Sequence, residues 1–200
     1  KGYQTLEHVL TALQNLPINI ITIWGFAADN WKRSEEEIVN LMKLFDKGIK
    51  NTLPKLLKNN SRFIHLGRKD RIPNFLKQTI ENAERLTQKN TGKRLCLAID
   101  FGGQDQEIRI VQKAIGFGFM SEQIIPKIIE KLRDGNGEIL PADLIIRTSG
   151  ENRTSDIGWL GKNSEFYSIK KLLPDTKTSD FVDGIVDYAK RERRFGGRPR

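Results

Sequence analysis

One cysteine and two histidines in 200 residues remove several kinds of chemistry at the outset. Cys96 cannot form a disulfide within the chain, which fits a reducing compartment. It lies in the apolar run Leu95-Cys96-Leu97-Ala98-Ile99 and reads as a small core residue rather than a nucleophile. His8 and His65 are far apart, and neither has a Cys or His companion at metal-binding spacing, so both read as structural or surface residues. No apolar run approaches the ~20 residues of a membrane span, and no secretory leader is visible. Gly102-Gly103 lacks the GxGxxG spacing of a dinucleotide fingerprint and reads as a tight strand-to-helix turn. Repeats, low-complexity tracts and linkers are missing too, so residues 1–200 are expected to form a single domain.

Negative charge is also in short supply. Against 34 Lys and Arg stand 25 Asp and Glu, a net charge of +9 that favours an anionic partner. Nucleic acid, anionic lipid headgroups and phosphorylated small molecules all satisfy that balance. The charge peaks in the tail, residues 191–200, with Lys190-Arg191-Glu192-Arg193-Arg194 and Arg198-Pro199-Arg200. No nucleic-acid recognition module accompanies it, so no nucleic-acid partner is expected. A hydrophobic content of 38% in a chain of this length is enough for a sizeable core.

Strand and helix signals alternate. Leucines and valine at helical spacing mark a helix over about 3–16, stopped before Pro17. Ile18 to Phe26 is a β-branched run that reads as a buried strand, followed by a loop, Ala27 to Arg33. Ser34 with Glu37 forms a capping box that opens a helix with acids in its first turn. Further strands are expected at 62–66, 95–101, 144–147 and 165–169. Helices are expected at about 74–89, 105–115, 121–132 and 179–194. This pattern predicts an α/β fold, a mostly parallel central sheet flanked by helices.

In such a fold, ligands bind outside the carboxyl ends of the strands. The stretch after the fourth strand, Arg147-Thr148-Ser149-Gly150-Glu151-Asn152-Arg153-Thr154-Ser155, therefore stands out. Arg147 and Arg153 suit a bidentate oxyanion, Ser155 adds a hydroxyl, and Gly150 lets backbone approach a ligand. The plain alternative is a surface ion pair with Glu151. After the first strand come Asn30, Trp31 and Arg33: either a pocket wall with Asn30 orienting a reacting group, or a Trp folded back on the core. Glu165 could ligate Mg²⁺ alongside substrate phosphates, or be a solvated strand-edge acid. Arg193, Arg194 and Gly196 suit either a phosphate clamp on a tail or a helix stop.

Together these pieces resemble the cis-prenyltransferase family, typified by undecaprenyl diphosphate synthase. Phe26-Ala27-Ala28-Asp29-Asn30-Trp31 resembles the family's Phe-Ser-Thr-Glu-Asn-Trp block. Leu97 to Gly103 resembles its Tyr-Gly-Gly strand end, and Asp143 to Glu151 with Arg153 and Ser155 its most specific motif. Ser164-Glu165-Phe166-Tyr167 and Arg193-Arg194-Phe195-Gly196-Gly197 resemble its late acidic block and C-terminal Arg-x-Gly signature. The resemblance implies condensation of isopentenyl diphosphate with an allylic diphosphate to a cis-polyprenyl diphosphate. It implies Asn30, Trp31 and Arg33 as catalytic residues, and Arg147, Arg153, Ser155, Arg194 and Gly196 as the isopentenyl diphosphate site. It also implies Glu165 as ligand to a Mg²⁺ cofactor, an apolar tunnel walled by the first two helices, and a homodimer. A cytoplasmic location with peripheral membrane contact is expected. The alternatives are a non-catalytic partner subunit of an active enzyme, or an irregular prenyl coupling. The family's N-terminal Asp and phosphate-loop block is expected to be missing from these residues. Ala27-Ala28 replaces a hydroxyl pair, and Gln104 stands where the family usually has Arg.

Overall fold

The computed structural model describes residues 1–195. They divide into two compact units, one of residues 18–140 and 156–158, the other of 1–17, 141–155 and those from 159 onward.

The first unit is built on three strands, β1 (Ile20–Ala27), β2 (Arg62–Leu66) and β3 (Arg94–Phe101). They form a wholly parallel sheet in the order β1-β3-β2. β3 is central, and Leu95, Leu97 and Ile99 join one core cluster while the alternate residues Cys96 and Ala98 are also fully buried. Burial on both faces is what a continuous apolar run requires. One face is covered by α2 (Glu35–Lys58) and α3 (Asn74–Thr87). Met42, Ile49 and Leu56 recur every seven residues on α2; Leu76, Ile80 and Ala83 recur at helical spacing on α3. Ser34 caps α2 by accepting the Glu37 N–H, as its position in the sequence predicts. Gly25 allows the close approach of α2, since a Cβ there would sit 2.8 Å from the Phe45 ring. α4 (Gly103–Gly116) and α5 (Pro126–Leu132) pack on each other through Ile110, Ala114 and Leu132.

The second unit holds α1 (Gly2–Leu13), β4 (Leu144–Arg147), β5 (Glu165–Ser168) and α6 (Thr178–Ala189). β4 and β5 pair in parallel, with Leu144 opposite Glu165 and Arg147 opposite Ser168. Gly184 brings α6 down on Tyr167, where a Cβ would lie 2.8 Å from the ring.

The α/β class with parallel sheets flanked by helices is the one the alternation predicts. Three boundaries differ. The loop after β1 is a 3₁₀ helix, Ala28–Lys32. The helix expected over 121–132 begins only at Pro126, because proline disfavours helical backbone at the residue before it, and Ile125 is extended. The closing helix ends at Ala189, not Arg194. Beyond it, Arg191 pairs with Glu165 as well as Asp187, and Arg193 with Asp143.

Candidate functional site

Because β1, β2 and β3 are parallel neighbours, their carboxyl ends open on one edge of the sheet. The segment after β1 folds tightly there. The Ala27 N–H donates to Asn30 Oδ1 at 2.9 Å, which commits the amide oxygen and leaves the NH₂ as the remaining polar group of Asn30. Trp31 stands edge-on to Phe26, with ring centroids 5.1 Å apart. Its indole N–H donates to Asp100 Oδ1 at 2.8 Å. Trp31 is thus folded back on the core as well as fixed at the strand end. Arg33 pairs with Glu37 at 2.7 Å on an exposed helix start.

Asp100 is the centre of this edge, and the sequence reading did not single it out. Its side chain is fully buried and its φ is +54°, in the left-handed region. Arg71, in the loop after β2, grips it with two nitrogens at 2.8 and 2.5 Å. Arg68 in the same loop holds Asp70 and Asp105, and its guanidinium keeps the Asp70 carboxyl down at about 2. Two signals could have found this cluster: an acid inside an otherwise apolar strand, and the basic run Arg68-Lys69-Asp70-Arg71 directly after Gly67. The third loop is occupied by the protein's own anion. Asp156 accepts the Gln104 N–H at the start of α4 and its carbonyl accepts the Gly103 N–H at 2.8 Å.

In the other unit, β4 delivers Arg147 at its carboxyl end. The turn beyond it carries Ser149 and Gly150 at φ of 71° and 67°. Ser149 N–H donates to Lys171 carbonyl and Gly150 N–H to Ile169 carbonyl, so the turn is pinned to the segment after β5. Arg147 donates to Ser155 Oγ at 3.1 Å, which brings together two residues of the predicted anion site. Arg153 is exposed and pairs with Glu151, the plain alternative weighed from sequence. Guanidinium groups in exposed pairs exchange partners readily, so this one remains available to a phosphate.

Glu165 is not brought to Arg147. The strand register puts it opposite Leu144, three residues and about 10 Å along the strand. Its Oε2 accepts from Arg191 at 2.8 Å, and Arg191 also grips Asp187. These bonds raise the Arg191 pKa. Among the described residues no group of three metal-ligating side chains exists, so Glu165 alone does not make a metal site. Arg193 is anchored by Asp143 and by the Asn163 carbonyl, and lies 4.4 Å over the Phe195 ring. Arg194 by contrast is exposed, and its side chain meets Glu192 at 3.4 Å. Gly196 lies outside the described residues.

The family model described as "Putative undecaprenyl diphosphate synthase" matches residues 1–196. The chain belongs to this family. It is a prenyltransferase. An isoprenyl transferase of Fusobacterium nucleatum is 35% identical over 98% of this chain and 84% of that protein. Lavandulyl diphosphate synthase from Lavandula x intermedia, solved with dimethylallyl diphosphate, superposes with a TM-score of 0.90 at 30% identity, covering 98% of this chain and 86% of that one. A probable undecaprenyl diphosphate synthase from Campylobacter jejuni has a TM-score of 0.84 at 25% identity, covering 98% and 91%. A match that begins at residue 1 does not bear out the expected loss of an N-terminal family block. Among the described residues, no helix of this prenyltransferase is long and apolar enough to cross a membrane.

Proposed function

We propose that this prenyltransferase condenses isopentenyl diphosphate with an allylic diphosphate to give a cis-polyprenyl diphosphate. The observation that carries the reading is the Arg147–Ser155 pair at the carboxyl end of β4, with Arg153 in the same loop, in a chain matched along nearly all its length by isoprenyl transferases. Guanidinium and hydroxyl donors of this kind bind a diphosphate through charge-assisted bonds. In the reaction the allylic C1–O bond breaks and its electron pair leaves with the diphosphate. The isopentenyl double bond supplies the pair for the new C–C bond, and loss of a proton restores an alkene. The departing charge is on the allylic diphosphate, so it is met at the reacting ends rather than at the Arg147 loop, and a cationic donor placed there stabilises it more than water does.

Arg147, Arg153 and Ser155 are assigned to the isopentenyl diphosphate headgroup. Asn30, Trp31 and Arg33 are assigned to the reacting ends, with Asn30 offering its NH₂ and Arg33 exchanging Glu37 for phosphate. Arg194 and Gly196 are assigned to the same headgroup from a partner subunit. Prenyl transfer in this family generally depends on a divalent metal, here proposed as Mg²⁺. The substrates' diphosphates would supply most of its oxygens and Glu165 would be the protein ligand. The metal would withdraw charge from the leaving diphosphate. A homodimer is supported by the exposed apolar stripe Ile108, Val111 and Ile115 on α4. The tunnel expected from α1 and α2, a cytoplasmic location and peripheral membrane contact belong to the same proposal.

The likeness to lavandulyl diphosphate synthase supports a second reading, irregular coupling of allylic units. One experiment separates them. The protein is incubated with Mg²⁺, labelled isopentenyl diphosphate and dimethylallyl, geranyl or farnesyl diphosphate, and the products are sized. Regular elongation gives labelled products longer by five-carbon units. A product formed from dimethylallyl diphosphate alone supports irregular coupling, and no product from any mixture supports a non-catalytic partner subunit.

A further inference from the structure

A cavity of about 500 Å³ lies along the outer edge of β2. Small-molecule sites commonly have this size. Another strand cannot use this edge through its N–H groups, because side chains already hold them. Phe63 N–H donates to Thr87 Oγ1, His65 N–H to Glu84 Oε1 and Gly67 N–H to Asp134 Oδ2, each at about 3 Å. The edge is closed to β-augmentation and open to a small ligand.

The charge of the lining says which kind. Five cationic side chains and three carboxylates face the cavity. Every carboxylate is already engaged: Glu84 by Lys69 at 2.5 Å, Glu138 by Arg62 at 2.8 Å, and Asp134 by Arg109 at 2.6 Å. Among the described residues, the Arg85 guanidinium donates to the neutral Asn82 side chain, at 2.8 Å. Lys113 donates to the Leu132 carbonyl at 2.9 Å and stands 3.9 Å from Asp134. A surplus of two positive charges, 5 − 3, therefore borders a polar hollow. His65 lines it as well. Its Nε2 meets the Ile99 carbonyl at 3.1 Å, while Nδ1 is buried with no hydrogen-bond partner. Burial keeps the ring neutral, so it adds no charge near pH 7.

We propose that this cavity is a second anion site, distinct from the Arg147 loop, that binds a diphosphate group through Arg85 and Lys113. A diphosphate carries enough negative charge to engage both cations at once. Free pyrophosphate and the headgroup of an organic diphosphate share this chemistry.

The ring proton of His65 reports occupancy, since the chain has only one other histidine, His8. Inorganic pyrophosphate is titrated into the full chain and the two imidazole resonances are followed by NMR. The His65 signal should move saturably, and should move equally in the Arg147→Ala/Arg153→Ala variant. In Arg85→Gln/Lys113→Gln the apparent Kd should rise at least tenfold with unchanged circular dichroism. Titration with isopentenyl diphosphate separates the sources: an equal shift assigns the site to the shared diphosphate group, and no shift restricts it to free pyrophosphate. A stationary His65 resonance in the wild-type protein would overturn the proposal. So would an undiminished response in the double variant, or orthophosphate binding as tightly as pyrophosphate.

Discussion

The indole N–H of Trp31 donates to Oδ1 of Asp100 at 2.8 Å across 69 residues of chain. Arg71 closes the arrangement from the β2 loop by gripping both oxygens of the same carboxylate. A buried carboxylate is tolerated because it is neutralised and hydrogen-bonded at once. Its left-handed backbone is one that Asn accepts nearly as well as Asp, and Ala poorly. Asp100→Asn should therefore cost about 1–3 kcal/mol of stability by weakening the charged bonds to Arg71. Asp100→Ala should cost about 3–5 kcal/mol, because it strands Arg71 and the indole. Urea unfolding followed by circular dichroism gives the ranking. An Ala variant as stable as wild type would remove Asp100 from the centre of this edge.

Glu165 serves Arg191 in the free protein and is assigned to Mg²⁺ in the working one. The ion pair is about a third exposed on both sides, so its own loss should cost no more than about 1 kcal/mol. Glu165→Ala should raise the Mg²⁺ concentration for half-maximal prenyl transfer several-fold. Arg191→Gln, which frees the carboxylate, should lower it or leave it unchanged. A metal titration indifferent to Glu165→Ala would leave that residue a structural anchor for the tail and nothing more.

His65 predicts an acid weakness. Burial holds its pKa at about 4, below the ordinary 6.5. The unfolded chain then binds a proton that the folded chain refuses between those values. Stability is complete above pH 6.5, falls as pH drops through the window, and levels off below about 4, a total of about 3 kcal/mol. Urea midpoints measured from pH 4 to 8 should show this slope in wild type and lose it in His65→Gln. A slope that survives the substitution would assign the acid sensitivity to other groups.

Much of this was legible in the sequence. The run Leu95 to Ile99 announced a strand with Cys96 in the core, and Ser34 with Glu37 announced the start of α2, because those signals are local. The Arg147 and Ser155 contact was legible because both lie in one loop of known strand context. Asp100 with Arg71 was not, since an ion pair between a strand and a distant loop leaves no periodicity in either. Glu165 was singled out by motif as a Mg²⁺ ligand, and the register that sets it opposite Leu144 was not legible because strand pairing is not local. The length of the last helix was overestimated because the basic run looked like a C-terminal turn, whereas Arg191 bridges Asp187 in α6 to Glu165 on β5 and Arg193 reaches Asp143.

The loop after β4 is assigned to grip a diphosphate. Isopentenyl diphosphate should be titrated calorimetrically into the wild type, Arg147→Ala and Arg153→Ala, with the fold of each checked by circular dichroism. Removing one charge-assisted donor pair should cost about 1.5–3 kcal/mol, a rise of roughly ten- to a hundredfold in Kd for each variant. Affinities unchanged in both would show that these guanidinium groups only serve Ser155 and Glu151, and would contradict the account.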